Sequence, residues 1–265
     1  MDGTQQKTPL KVFILRIYRG VPEKQYWEEF EVELRPYLNI TSALMEIQKK
    51  PINRKGEKVT PVAWEQGCLE EVCGSCSLLV NGRPRQGCSA LVENLLKETK
   101  SDTITLAPLS KFPLVRDLVV NRDAMFENLK KVRAWIDVDD ALDKGFGPKI
   151  SPEVQEALYQ LSTCMTCGCC SEACPQVNAQ SPFMGPAPIS QARLFNSHPV
   201  GRLMKASRLR PLMEEGGVTD CGNAQNCVAV CPKNIPLTES IALIGREVVK
   251  QALKDMVSLP DAGKD

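Results

Sequence analysis

Twelve cysteines and one histidine, His198, stand in a chain of 265 residues. The thiolate is the metal-binding form of cysteine, and the spacing of these residues narrows the chemistry further. Cys68, Cys73 and Cys76 form a C-x4-C-x2-C run, and Cys88 follows after eleven intervening residues. This is the plant-type [2Fe–2S] spacing. Three thiolates from one short loop must converge on a small inorganic core, so the backbone has to turn tightly. Gly67 and Gly74 are expected to supply the unusual dihedrals. Their N–H groups, with the hydroxyls of Ser75 and Ser77, are expected to donate to sulfur. A four-thiolate zinc site, the alternative, usually pairs two C-x2-C knuckles, which is not the arrangement here.

The other eight cysteines lie in the last part of the chain. Cys164, Cys167, Cys170 and Cys174, followed by Pro175, reproduce the bacterial run C-x2-C-x2-C-x3-C-P. In two-cluster proteins the fourth cysteine of such a run ligates the other cluster. A second run in the same register supplies that partner: Cys221, Cys227 and Cys231-Pro232, with Ala224 where the second cysteine would stand. Crossing the ligands over gives Cys164, Cys167, Cys170 and Cys231 to a complete [4Fe–4S] cluster. Cys174, Cys221 and Cys227 remain for the other, with no thiolate for a fourth iron, and a [3Fe–4S] cluster is expected there. The rival is a four-iron cluster with water on its unique iron, as hydrolytic enzymes use, but the segment GNAQN brings none of the acids and bases that substrate would need. Cys169 fits no ligand position and is read as a small buried hydrophobe beside the cluster.

These ligands need elements to hold them. Lys11–Tyr18, Glu29–Leu34, Leu78–Val80 and Thr103–Leu106 read as strands. Asn81-Gly82 is a hairpin signal, and Ser42–Lys49 has helical spacing with Thr41 or Ser42 as its N-cap. A sheet with one helix across it and a cysteine-bearing loop is the expectation for residues 1–115. Residues 116–265 read as helical, with helices expected over Ala124–Trp135, Pro152–Ser162, Ile189–Asn196, Pro199–Met213 and Ser240–Met256. Two proline-rich stretches, Ser181–Pro188 and Cys231–Pro236, punctuate them. Ile136–Ser151 reads as a connector, and the end of the chain from Leu259 as frayed. Arg202–Arg210 reads as an amphipathic helix with a solvated basic face, or one that rests on a membrane partner or anionic lipid headgroups. His198 is given a structural role, and Trp27, Trp64 and Trp135 are read as core or interface anchors.

Composition excludes other classes. Lys and Arg number 33 against 32 Asp and Glu, a net charge of +1, which disfavours binding to nucleic acid through bulk charge. No run approaches the roughly 18 apolar residues of a membrane span, and the amino terminus lacks the features of a secretory signal. One histidine is poor material for a His-rich metal site or a Ser-His-Asp nucleophile. No general base, nucleotide-binding glycine motif or flavin site is apparent, so any substrate conversion falls to a partner.

Three clusters in this order, on a strand-rich domain followed by a helical one, closely resemble the iron–sulfur subunits of succinate dehydrogenase and fumarate reductase. Beyond the cysteines, the resemblance rests on Phe112–Asp123, Met184-Gly185-Pro186-Ala187, Arg193 and Asn226–Pro232, and runs roughly from Val12 to Lys250. It implies an α+β chain: an N-terminal β-grasp, plant-type ferredoxin-like domain, then an all-α bacterial-ferredoxin-like domain. It also implies an electron wire, running from an FAD-containing flavoprotein subunit through the three clusters to a membrane quinone. The quinone would lie where this subunit meets a haem-b-containing anchor. A peripheral position on the cytoplasmic face of the cell membrane follows from the same resemblance. The alternative is an iron–sulfur carrier for a different flavin dehydrogenase, or a free ferredoxin-like shuttle.

One departure from the family is informative. Members that reduce ubiquinone carry a tryptophan shortly after the first Cys-Pro and a histidine directly after the first cysteine of the second run. Here Gln176-Val177-Asn178-Ala179 and Gly222 occupy those places. The family's quinone residues therefore do not carry over, and menaquinone with a di-haem anchor of the single-polypeptide type is expected.

Overall fold

Residues 11–137 and 149–257 are described by the structure, a computed structural model. The chain opens with a long antiparallel pair, β1 (Val12–Val21) and β2 (Lys24–Glu33), joined by the two-residue turn Pro22-Glu23. Alternation explains the pair: Phe13, Leu15 and Ile17 of β1 and Phe30 and Val32 of β2 all point into one core. β2 begins five residues before the expected Glu29, because pairing with β1 carries its exposed polar half.

Helix α1 (Ile40–Lys49) lies on that core through Ile40, Ala43, Leu44 and Ile47, the i, i+3, i+4, i+7 stripe. Its N-cap is Asn39, not Thr41 or Ser42. The Asn39 side-chain oxygen accepts from the Ser42 amide at 2.8 Å and from the Thr41 hydroxyl at 2.7 Å. Asn39→Ala is expected to remove about 1 kcal/mol of stability, seen as a lower urea midpoint for the full chain; an unchanged midpoint would refute the cap.

β3 (Ser77–Val80) and β4 (Arg83–Gln86) form the expected hairpin. Asn81 and Gly82 both have positive φ, 49° and 75°, as a type I′ turn requires. Helix α2 (Val92–Thr99) leads into β5 (Thr103–Ala107). The five strands run in the order β2-β1-β5-β3-β4, with β5 parallel to β1 and antiparallel to β3. This mixed sheet with α1 against it is the β-grasp arrangement.

A short pair, β6 (Leu114–Arg116) and β7 (Val119–Val120), completes the first unit, Met1–Asn121. The division falls six residues beyond the expected 115/116 boundary for a physical reason. Asp117 is buried, accepts from the Gly20 and Ala63 amides at 2.9 and 2.8 Å, and pairs with Arg19. Those bonds anchor residues 117–118 to β1 and to the 60–63 segment.

The described residues of the second unit, Arg122–Asp265, are mainly helical. α3 (Asp123–Lys131) stops short of the expected Trp135, and α4 (Pro152–Ser162) matches its expected bounds, with Ser151 capping Val154. α5 (Cys169–Ala173), α6 (Pro186–Ser197), α7 (Lys205–Leu209), α8 (Asn226–Ala229) and α9 (Leu237–Val257) follow. Ile189 and Ala192 of α6 and Ile241, Ile244 and Val248 of α9 share a core with Phe183, Leu209 and Leu212.

The expected single helix over Pro199–Met213 is broken. 3-10 turns at Gly201–Met204 and Arg210–Leu212 flank the short α7. His198 starts this stretch, its Nδ1 accepting from the Val200 and Gly201 amides at 3.2 and 3.3 Å, a capping role. The basic face is not wholly solvated either. Arg208 is 0% exposed and donates to the carbonyls of Arg133, Trp135 and Gly201 and to Asn196. Burial lowers its pKa. Lys205 pairs with Glu247 and Arg210 with Asp255, so α9 takes up two more of the cations.

Trp64 packs against the first core, whereas Trp27 stays half exposed, under the Arg16 guanidinium and beside Tyr18. Trp135 is exposed and donates to Asp137. Among the described residues no helix is long and apolar enough to cross a membrane. The expected connector lies largely, and the frayed end wholly, outside the described residues.

Candidate metal centres

In the first unit, the chain between Gly67 and Cys76 coils without regular structure, and its amides turn inward onto sulfur. The amides of Glu70, Val72 and Cys73 point at Cys68 Sγ at 3.2–3.4 Å. Those of Cys68 and Ser75 point at Cys73 Sγ, and that of Glu71 at Cys88 Sγ at 3.3 Å. Such convergence demands unusual backbone: Leu69 and Glu71 have φ of 62° and 58°, and Gly74 has 75°. Positive φ at a leucine is strained and is held only where surroundings dictate it.

Gly67 differs from expectation, since its φ is not positive. It is needed for room: a Cβ there would stand 2.9 Å from Cys73 Sγ. Gly67→Val is therefore expected to weaken cluster retention about 10-fold or more, read as visible absorbance lost under a chelator. Retention equal to the parent chain would refute that role.

Cys73 and Cys88 are pulled in opposite directions. The Ser75 hydroxyl, then the Cys68 and Ser75 amides, lower the Cys73 pKa to about 6. Burial, then the neighbouring Cys76 thiol, push Cys88 up to about 12. Of the two expected hydroxyl donors, only Ser75 serves sulfur. Ser77 donates instead to the Gly74 carbonyl at 2.7 Å.

In the second unit the two cysteine runs repeat in three dimensions. The sequence offset between them is 57 residues, from Cys164 to Cys221. At that offset Thr166 and Gly168, with φ of 53° and 85°, correspond to Asn223 and Gln225, with 51° and 61°. Helices α5 and α8 start at the same register, at Cys169 and Asn226. The Asn226 side chain donates to the Ala173 carbonyl at 3.1 Å, tying one repeat to the other.

Two spaces result. One is lined by Cys164, Cys167, Cys170 and Cys231. The other is lined by Cys174, Cys221, Cys227 and Ala224. Each space thus draws cysteines from both runs. Burial raises the pKa of Cys164 and Cys227, and of Cys170 strongly. Cys167 is lowered to about 7, chiefly by a hydrogen bond from the Cys169 side chain. Cys169 is fully buried as expected, but its bond to Cys167 is polar work that a hydrophobe reading misses.

The departure noted at Gly222 has a structural counterpart. A Cβ on Gly222 would stand 2.6 Å from Gln176 Nε2. The Gln176 amide thus covers the position where a larger residue would project.

Thiol sets of this kind, in an amide-rich loop and in two apolar spaces, suit iron–sulfur clusters. Residues 14–127 match the 2Fe-2S iron-sulfur cluster binding domain, and residues 160–235 match the 4Fe-4S dicluster domain. The succinate dehydrogenase iron-sulfur subunit of Bacillus subtilis is 56% identical over 243 residues, covering 92% of this chain and 94% of that protein. The fumarate reductase iron-sulfur subunit of Wolinella succinogenes is 28% identical over 246 residues, covering 90% of this chain and 98% of that one. A chain of the Mycobacterium smegmatis Sdh1 complex in the apo form shares the fold, with a TM-score of 0.76 at 22% identity, over 96% of this chain and all of that one. The combination of a 2Fe-2S unit, a dicluster unit and this degree of identity leads to one conclusion: the chain belongs to the iron–sulfur subunits of succinate dehydrogenase and fumarate reductase.

Proposed function

We propose that Cys68, Cys73, Cys76 and Cys88 hold a [2Fe–2S] cluster, Cys164, Cys167, Cys170 and Cys231 a [4Fe–4S] cluster, and Cys174, Cys221 and Cys227 a [3Fe–4S] cluster. On this reading the chain carries electrons between an FAD-containing flavoprotein subunit acting on succinate or fumarate and a quinone in the membrane. The observation that supports the assignment best is the sharing of cysteines across the two spaces, Cys231 in one and Cys174 in the other. Clusters of these types, when bound, take up and release single electrons.

The protein's part is to bind and insulate. Backbone N–H groups around Cys68, Cys73 and Cys88 favour the ligated, negatively charged form of each sulfur. The raised pKa of the buried thiols means that their protons must be displaced as the site is loaded. Apolar side chains, Leu161, Ile235 and Leu237, pack against Cys164, Cys170 and Cys231.

The partners on this reading are the flavoprotein subunit and a haem-b-containing anchor, with the chain peripheral on the cytoplasmic face of the membrane. Gln176 over Gly222 supports menaquinone rather than ubiquinone, because neither the tryptophan nor the histidine of ubiquinone-reducing members is present. Turnover with naphthoquinones is expected to exceed that with ubiquinone analogues, and the reverse order would sink the assignment.

The deciding experiment is low-temperature EPR on the purified complex, oxidised and then stepwise reduced, with metals quantified. An oxidised-state three-iron signal, two further signals on reduction and about nine irons per chain are expected. Zinc in place of iron would overturn the electron-transfer reading.

A further inference from the structure

The most informative side chain near a ligand sulfur is one that no cysteine spacing signals. Gln86 ends β4, two residues before Cys88, and is 1% exposed. It stands opposite Ser77 in the β3–β4 register, so the two side chains share one face of the hairpin. Ser77 in turn follows Cys76 directly. Gln86 is thereby braced between the two strands next to the third and fourth cysteines of the first unit.

A one-way series of donors runs through these residues. The Cys76 thiol donates to Gln86 Oε1 at 3.5 Å. Gln86 Nε2 donates to Ser77 Oγ at 2.8 Å, and the Ser77 hydroxyl donates to the Gly74 carbonyl at 2.7 Å. Cys76, Ser77 and Gln86 are all buried. The direction of the series depends on the Cys76 proton. A ligated sulfur has lost that proton and can only accept. Gln86 Oε1 would then face an anionic acceptor inside the protein, an arrangement that burial makes expensive.

Half a turn of the Gln86 amide resolves the conflict. Nε2 comes to Cys76 Sγ as a donor, and Oε1 accepts from Ser77, whose hydroxyl is free to swing away from Gly74. We propose that Gln86 is a positioning residue for the ligated Cys76 sulfur, donating its side-chain N–H to Sγ and so favouring the reduced state of that site. The inference rests on the reading that Cys76 is a [2Fe–2S] ligand. Its physical basis is that added negative charge on sulfur is stabilised by a fixed donor in a low-dielectric setting. One electron is gained and the proton stays on Nε2.

The test replaces the donor without changing the volume much. Gln86→Leu, in the assembled complex, is followed by EPR during a redox titration of the reduced [2Fe–2S] signal. The reduced-to-oxidised ratio at a fixed poise is expected to fall about three- to tenfold, tenfold being about 59 mV for one electron, with g-values and spin count retained. An unchanged ratio with an intact signal overturns the proposal. Should the variant fail to assemble, the parent complex labelled with 15N in its glutamine side chains gives an independent reading. Pulsed EPR of the reduced cluster is expected to detect one coupled side-chain nitrogen, and its absence overturns the proposal. Cys76→Ser, run in parallel, isolates the underlying reading: altered g-values support Cys76 as a ligand, and unchanged g-values remove that ligand and the inference with it.

Discussion

Ala224→Cys is expected to convert the three-iron site to a four-iron one. Iron should rise from about nine to about ten per chain, and the oxidised-state three-iron EPR signal should disappear. The argument is geometric as well as numerical. Ala224 lines the same space as Cys174, Cys221 and Cys227. It is flanked by Asn223 and Gln225, both left-handed, as Thr166 and Gly168 flank Cys167 in the other repeat. A thiol at 224 would therefore approach its site as Cys167 approaches the first one. If the variant keeps the three-iron signal at full intensity, the assignment of Cys174, Cys221 and Cys227 to one cluster is wrong. Removing a ligand from the other set gives the complementary result. Cys231→Ser, although Cys231 closes the second run, should disturb the four-iron signal and spare the three-iron one.

The largest effect on stability is expected at Asp117. Its carboxylate and the Arg19 guanidinium are both buried, with two contacts at 3.3 and 3.4 Å. Burial alone pulls the Arg19 pKa down, but hydrogen bonds and charge from Asp117, then Glu28, raise it on balance. Among the described residues, Asp117→Ala leaves Arg19 with Glu28 and the Thr60 and Pro61 carbonyls, and leaves the Gly20 and Ala63 amides without their acceptor. Breaking a buried pair in this way typically costs about 3–5 kcal/mol. Native-state hydrogen exchange is the suitable readout, because a chain of two units need not unfold in one step. Exchange at Gly20 and Ala63 should accelerate by at least about 100-fold, at about 1.4 kcal/mol per factor of ten. Asp117→Asn should lose less, since its amide oxygen still accepts one of the two amides. An acceleration of less than tenfold in the alanine variant would show that the pair contributes little.

Much of this molecule was legible in its sequence wherever the determining residues are close together. Cluster-binding spacing is local chemistry: three thiolates within nine residues of one loop constrain the core that they can hold, and two runs in one register expose a repeat. Amphipathic periods gave α1, α4 and β1 for the same reason, since burial of one face needs no knowledge of what covers it. Where the reading failed, the cause was competition from distant groups. The period of Arg202–Arg210 suggests a solvated basic face, yet the carbonyls of Arg133 and Trp135 hold Arg208 inside. Ser77 looked like a sulfur donor by position, but Gly74 and Gln86 claimed its hydroxyl.

The sequence by itself determined which thiols are available, their arrangement as a three-cysteine loop with Cys88 beyond it and two runs in one register, and the alanine that stands at 224 in the second run. Tertiary structure alone decided what surrounds those sulfurs. It set the left-handed residues that aim the second-unit loops, Gln176 against Gly222, the Cys169 thiol hydrogen-bonded to Cys167, Gln86 against Cys76, and the Arg19–Asp117 pair spanning 98 residues. Ligand spacing is written in covalent distance along the chain, whereas the field around a sulfur depends on groups brought near by packing. A lone glutamine or arginine has no periodicity to announce where its side chain will end.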